Sequence, residues 1–308
     1  MSFYDTYKDY SIITPAIPVV SLLMVIDTIG IIANFLVIII TVHSKKLRST
    51  TNFLLAMQCF SDSLHVLAHY YLAYAIYSGK NFDTLHTCFR VMIGPLIGLN
   101  FGMGLVFFIA VDRLVILLFP IKHQQLNKLL YLGSIVTICT ACNVCILYIG
   151  YLNAEEHKDN MVICLISNGL YETPIIIWSI MTASFVFGSF SIYIIIRICI
   201  HHKVDSNSST KKLYKPLFIT CILMTSSWIL ISTSLVLCAV FQLSEELSLL
   251  IPLHVGITIN IACGSNFFVL TRYSKEYRSA TRELFEKIGN TKISKPIVVN
   301  VSSNMKSP

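Results

Sequence analysis

The chain has 308 residues, of which 55% are hydrophobic and only 13% are charged. Soluble globular domains carry about 25% charged residues, so 16 acids and 23 Lys and Arg residues are too few to cover a water-exposed surface of this size. The composition excludes an ordinary soluble domain and indicates a chain whose surface is solvated largely by lipid.

Seven apolar runs follow one another along the chain. Five carry no Asp, Glu, Lys or Arg, and the first two carry one charge each, Asp27 and Asp62. A helix needs about 20 apolar residues to cross the hydrocarbon core, and each run is long enough. The runs lack the alternation of barrel strands, so we predict an all-α membrane protein, a bundle of seven transmembrane helices. In chain order the runs are 18–42, 53–77, 91–111, 129–154, 173–196, 216–244 and 247–271.

Lys and Arg residues lie mostly on one side of the predicted membrane. If odd-numbered spans run inward, 19 of the 23 fall on the inner side and 4 on the outer side. Because an excess of Lys and Arg marks the cytoplasmic side, we predict that the N-terminus is outside. The net charge of +7 then faces anionic lipid of the inner leaflet, and it does not indicate a nucleic-acid partner.

The stretches between the predicted spans are too short to hold a separate soluble domain. After the seventh span, residues 273–288 place apolar side chains on one helical face with basic residues beside it, which is typical of an interfacial amphipathic helix. We expect an extracellular N-terminus at 1–17, the seven-helix bundle at 18–272, this helix at 273–288, and a disordered cytoplasmic tail at 289–308.

Of the ten cysteines, only Cys88 and Cys164 fall clearly on the oxidising side of the predicted membrane. Cys88 is at the outer end of the third span, and Cys164 is in the loop after the fourth. Compartment therefore favours a disulfide that holds this loop across the mouth of the bundle, and the alternative is two free thiols.

Ionisable groups inside spans are costly and usually face the bundle interior. Asp62 lies in the middle of the second span, and its residue type alone leaves three roles open: a hydrogen-bond hub, a cation site or a proton relay. Asp27 has no assigned role. His65 and His69 share a helical face, and this spacing suits either zinc binding or, more often, packing against the tyrosines that follow them.

Asp112-Arg113 stands at the inner end of the third span, where adjacent opposite charges by themselves need be no more than a boundary pair. In their order and spacing, however, several residues resemble the rhodopsin-like (class A) G-protein-coupled receptor pattern, over roughly residues 18–288. The residues that carry this resemblance are Asn34, Asn52 ten residues before Asp62, Cys88 twenty-five before Arg113, Pro120 eight after Asp112, Trp228, and Asn266 followed by Tyr277-Arg278.

The departures from that pattern are informative. The residue after Arg113 is leucine, the fourth span has no tryptophan, and three usual prolines are replaced by Phe185, Leu230 and Phe267. This set of losses is similar to the nematode chemoreceptor families. The stretch 46–56 and the run Asp112-Arg113-Leu114 look most like the Srsx branch.

The resemblance assigns roles on the inner side and in the middle of the bundle. It implies that Asp112, Arg113 and Pro120 couple to a heterotrimeric G protein, with Arg113 held by Asp112 at rest. It implies a polar hub of Asn34, Asp62 and Asn266. Asp62 and Asn266 are also a weak sodium candidate, because glycine stands at 102 where the family has a serine. The base of the sixth span carries no acid to restrain the arginine, which predicts some basal activity.

The outer half of the bundle is the expected ligand pocket, with Tyr74, Leu99, Asn100 and Trp228 as lining residues. Pro95 stands where aminergic receptors have their aspartate, and Asn260 stands where opsins have their lysine. Neither a monoamine salt bridge from the third span nor a retinal Schiff base is therefore expected, and no cofactor is predicted.

These features predict a receptor and not an enzyme, with a small molecule or a peptide as ligand. We expect it to be a multi-pass protein of the plasma membrane, and sensory cilia are one location that the resemblance suggests. A neuropeptide receptor is the alternative within the class. A polytopic transporter is less favoured, because the spans contain few charges and no internal repeat.

Overall fold

The structure, a computed structural model, describes residues 4, 7–8, 13–203 and 209–293. The described chain is almost entirely helical, apart from one short strand pair formed by β1 (Asp83–Thr84) and β2 (Met161–Val162). The helices are α1 (Ile17–His43), α2 (Thr50–His65), α3 (Leu67–Ser78), α4 (Leu85–Leu118), α5 (Pro120–Gln125), α6 (Lys128–Glu156), α7 (Thr173–Lys203), α8 (Ser209–Val240), α9 (Glu245–Gly264), α10 (Asn266–Tyr273) and α11 (Lys275–Ile293).

Within the described residues, six helices are long and apolar enough to cross a membrane: α1, α4, α6, α7, α8 and α9. The second span is divided at Val66 into α2 and α3, each of which is too short to qualify alone. Together they occupy the position of the second apolar run. The predicted seven-helix bundle is therefore confirmed, with the added detail that its second span is interrupted.

Polar residues set where several helices begin. Ser49, Thr84 and Asn127 each accept a hydrogen bond from a backbone N–H in the first turn of α2, α4 and α6, at 3.0 to 3.3 Å. Such caps satisfy backbone donors that a helix start leaves open. Gly79 ends α3 at a φ of 72°, a left-handed conformation that suits glycine.

Two close backbone contacts set the spacing of neighbouring spans. A side chain added at Gly98 of α4 would meet the backbone of α2 at 2.6 Å, at both Ser61 O and His65 N. One added at Gly30 of α1 would meet the Cα of Gly264 in α9 at 3.2 Å. Small residues of this kind let transmembrane helices approach closely.

The outer loop between α6 and α7 is fastened across the bundle. Cys88 and Cys164 form a disulfide with a Cα–Cα distance of 5.3 Å, which confirms the predicted bond. On the same loop, β2 pairs antiparallel with β1. The loop is thus tied to the start of α4 at two points, by a covalent bond and by strand pairing.

The helix after the seventh span docks on the inner end of α1. The buried Tyr277 hydroxyl is 3.0 Å from Thr41 Oγ1, and burial raises the pKa of Tyr277. Lys46 donates to Glu283 at 3.0 Å and lowers the pKa of that carboxyl. The helix continues to Ile293, beyond the predicted end at 288, so residues 289–293 are not part of a disordered tail. The rest of the predicted tail, 294–308, and most of the N-terminal segment lie outside the described residues.

Candidate functional site

A cavity of about 480 Å³ opens on the inner side of the bundle. The inner ends of spans two, three, four, six and seven contribute to its wall, together with α5 and α11. Arg113, only 6% exposed, and Pro120 both line it. Cations at its rim include Lys46, Arg48 and Lys128, so its mouth is electropositive.

Asp112 lies behind this cavity and is fully buried. One carboxylate oxygen is 2.9 Å from Nε2 of His123 on α5, and the other accepts a hydrogen bond from the hydroxyl of Thr51 on α2. The hydroxyl of Tyr131 on α6 faces the same group. A carboxylate buried this deeply needs such partners, so Asp112 joins three neighbouring elements to α4. The predicted restraint of Arg113 by Asp112 stays a prediction.

The middle of the bundle contains the expected polar contact. Nδ2 of Asn266 donates to Oδ2 of Asp62 at 3.2 Å, and both residues are buried. Asn34 is also buried, but its Oδ1 accepts no hydrogen bond from a described residue. The structure thus brings together two of the three residues predicted for the hub.

Gly102 faces this contact directly. A Cβ at residue 102 would lie 2.9 Å from Oδ1 of Asp62, so a side chain there would touch the carboxylate. The serine that Gly102 replaces would stand in contact with Asp62. The weak sodium site predicted at Asp62 and Asn266 stays a prediction.

A larger cavity, about 790 Å³, opens on the outer side beneath the tethered loop. Leu23 of α1, His69 of α3 and Asn260 of α9 line its deeper wall, and loop residues such as Asp159 and Tyr171 line its mouth. Most of the other lining side chains are apolar, which is usual for a small-molecule site.

The residues predicted for the ligand pocket lie elsewhere. Leu99 and Asn100 are buried, and Asn100 accepts a hydrogen bond from Nε1 of Trp178 at 2.8 Å. Trp228 packs edge-on against the same indole, with ring centroids 6.2 Å apart. Asn100, Trp178 and Trp228 form a packed layer, and none of them lines the outer cavity. Tyr74 is 54% exposed and does not line the outer cavity, so its place in a ligand pocket stays a prediction.

Sequence reasoning missed a histidine–carboxylate pair in the outer half of the bundle. Nδ1 of His69 is 2.9 Å from Oδ2 of Asp27, across 42 residues of sequence. Asp27 is 1% exposed. Both residues are ionisable groups on the outer side of neighbouring spans, and that shared depth was the one available signal. His65 packs its ring against His69 at 5.9 Å, and no group of three metal-ligating side chains forms among the described residues.

The bundle has seven spans, an outer cavity beneath a disulfide-fastened loop, and an inner cavity with a buried arginine. A polar contact lies between the two cavities. Together these features define a serpentine receptor. The family model described as serpentine type 7TM GPCR chemoreceptor Srsx matches residues 27–285, and the chain belongs to this family. It is a multi-pass membrane protein of a receptor family, not of an enzyme family. No curated protein matches the chain.

Proposed function

We propose that this chain is a chemosensory receptor of the plasma membrane that binds a small molecule from outside and activates a heterotrimeric G protein inside. The single observation that supports this best is the inner cavity. Arg113 lines it, beside the Thr51–Asp112–His123 cluster, at the place where the family resemblance puts G-protein contact. The charged side chains that line the cavity are mainly basic, which suits an acidic helix end or carboxylate of a partner.

Signalling needs two arrangements of the bundle. A ligand that binds one arrangement better than the other shifts the population toward it. In the resting arrangement, the Asp112 cluster ties α4 to α2 and α5, while Asp62 ties α2 to α10. We propose that movement of α8 opens the inner cavity to the G protein. The side chains at the base of α8, residues 209–214, lie outside the described set, so the predicted weak lock there stays a prediction.

Two further assignments complete the proposal. We place α11 on the inner leaflet, because its apolar side chains pack toward α1 and its basic residues remain exposed. Asp62 and Asn266 are the candidate sodium residues, at weak occupancy because Gly102 supplies no hydroxyl. Sensory cilia are the proposed site of action.

The test is G-protein activation in cells that express Arg113→Ala. We expect basal and ligand-evoked activation to fall by at least about tenfold. A tenfold loss corresponds to ~1.4 kcal/mol of coupling free energy between Arg113 and the active arrangement. Surface expression is measured in parallel. Arg282→Ala removes an exposed cation of α11 and is the matched control, which should signal normally. Unchanged activation in a surface-expressed Arg113→Ala receptor would refute the proposed coupling.

A further inference from the structure

The outer cavity lies on one side of the bundle. Spans one, two, six and seven and the tethered loop supply most residues of its wall, together with Tyr4 and Phe82. None of its described lining residues belongs to α4 or α7. It is therefore separated from the Asn100–Trp178 layer, where the third and fifth spans meet. A ligand in this cavity would be recognised mainly through α1, α3 and α9.

Behind the wall of this cavity lies a buried carboxylate that has few hydrogen-bond partners. Oδ2 of Asp27 is 2.9 Å from Nδ1 of His69, and no hydrogen bond from another described residue reaches either carboxylate oxygen. A buried carboxylate is costly unless it is paired and hydrogen-bonded. The carboxylate can still accept hydrogen bonds and attract positive charge. With the proton of a neutral His69 on Nδ1 and donated to Asp27, Nε2 of the same ring can accept a hydrogen bond from a cationic ligand in the cavity.

Asn260 presents a second open acceptor in the same cavity. It is 3% exposed, and its Nδ2 donates to the carbonyl of Gly256 at 3.0 Å. That bond leaves Oδ1 buried and without a donor among the described residues. Buried carbonyl oxygens normally accept a hydrogen bond, so Oδ1 of Asn260 has unused capacity to accept one.

The three groups lie at a similar depth. The first and seventh spans run in the same direction and touch where Gly30 meets Gly264. Asp27 precedes Gly30 by three residues, and Asn260 precedes Gly264 by four, so each lies about one turn outward of the contact. His69 reaches Asp27 at that depth from α3.

We propose that this cavity binds a small, mostly apolar primary amine, whose ammonium group is held by Asn260 Oδ1 and the His69–Asp27 pair. The inference rests on the proposed receptor function and names its ligand class. No Lys or Arg is among the described residues that line the cavity, and Asp159 adds negative charge at its mouth. An ammonium balances the Asp27 carboxylate, whereas a carboxylate ligand would place a second anion beside it. The site is distinct from the third-span position that Pro95 occupies.

The test uses three probes with one carbon skeleton: 3-methylbutylamine, 3-methylbutan-1-ol and 3-methylbutanoic acid. Binding to the purified full chain in lipid nanodiscs is measured without G protein. We expect the amine to bind at least about tenfold more tightly than either analogue. Asp27→Asn should weaken amine binding by about thirtyfold or more, because it removes one partner of a buried charge interaction. Asn260→Leu should weaken it in the same direction.

The matched control is His86→Gln. It breaks the other outer histidine–carboxylate pair, His86 Nε2 to Glu155 Oε1 at 3.0 Å, which does not line the cavity. Amine binding should be unchanged. Gly256→Leu tests the cavity without altering the buried pair: a Cβ at 256 has its nearest neighbour, Ile231 Cδ1, at 3.8 Å, so the backbone accommodates it. The longer side chain should occupy part of the space one turn from Asn260 and weaken binding of the amine.

The ligand class is refuted if none of the probes binds, if the amine has no advantage over the alcohol, or if the affinity for the amine is unchanged in Asp27→Asn or in Gly256→Leu. The proposed function fails separately. Selective amine binding without Arg113-dependent activation would support the site and contradict the receptor proposal. Arg113-dependent activation without amine selectivity would support the receptor and contradict the site.

Discussion

Gly98 shows how one absent side chain sets the distance between two spans. Its Cα faces the backbone of α2, where an added Cβ would meet Ser61 O and His65 N at 2.6 Å. Backbone atoms cannot rotate away as a side chain can, so even one methyl group must push α4 from α2. The same approach brings α4 near Asp62, which lies on the facing part of α2.

We predict that Gly98→Ala lowers the stability of the purified receptor by roughly 1–3 kcal/mol, the usual cost of overpacking. Thermal unfolding in detergent measures it. The control is Gly94→Ala in the same helix, where an added Cβ meets no atom within 4 Å. That change should be neutral or slightly stabilising, since alanine favours helix more than glycine does. Equal melting temperatures for the two variants would contradict the contact.

Individual polar residues differed in how far their partners could be predicted. Asp62 and Asn266 were paired correctly, because the family spacing places both residues at the same depth. The expected restraint of Arg113 by Asp112, its neighbour in sequence, stays a prediction. The observed partners of Asp112, Thr51 and His123, lie on other elements, and which of them it meets depends on helix rotation that the sequence pattern does not specify.

At the scale of elements, apolar length predicted the spans well and their interruptions poorly. Hydropathy is a sum over many residues. The second span therefore reads as one apolar run, although its helix is interrupted at Val66 between α2 and α3. The end of α11 was also missed. Composition turns polar after 288, yet the backbone hydrogen bonds of the helix continue to Ile293. Docking of α11 depends on single contacts, which composition does not reveal.

We predict that Tyr277→Phe loosens α11 from α1. The change removes the hydroxyl that bonds Thr41 at 3.0 Å and leaves a buried threonine hydroxyl without this partner, at a cost of about 1 kcal/mol. Hydrogen exchange of the α11 amides should become about fivefold faster, which corresponds to that energy. Unchanged exchange in the variant would show that the ring alone holds the helix.

Lys46→Gln is the matched control for that contact. It removes the exposed ion pair with Glu283, and pairs at such positions contribute little. The hydrogen bond from Lys46 lowers the pKa of Glu283, so any contribution of the pair is present at neutral pH and is lost as the pH falls through that lowered value. Exchange of α11 at neutral pH should therefore stay near the wild-type rate.

At the scale of the whole molecule, the seven-span topology and the disulfide could be predicted, but the position of the outer cavity could not. Charge placement and apolar length fix which residues lie outside, and only one cysteine pair lies there. The outer cavity depends instead on which helix faces converge beneath the loop. Trp228 was expected in the pocket and packs against Trp178, while the unassigned Asp27 backs the cavity wall.

The outer and inner cavities are connected through spans that the Asp112 cluster holds in place. Within this cluster, substitution of His123 tests the coupling between the two cavities most directly. Its Nε2 is 2.9 Å from Asp112, and it belongs to α5, outside the membrane-spanning helices. A hydrogen bond to a charged group contributes about 1.5–3 kcal/mol. If the bond exists only at rest, His123→Ala shifts the resting equilibrium toward the active arrangement by about tenfold or more.

We therefore predict that His123→Ala raises basal G-protein activation, measured per receptor at the cell surface. His43→Ala is the matched control, because His43 is an exposed inner-side histidine that bonds only the carbonyl of Ile39 in its own helix, at 3.1 Å. It should leave basal activity unchanged. The double variant His123→Ala with Arg113→Ala should be silent, since the released arrangement still signals through Arg113. Lower basal activity in His123→Ala would mean that the cluster supports the active arrangement, and it would reverse the assignment of the Asp112 cluster to the resting state.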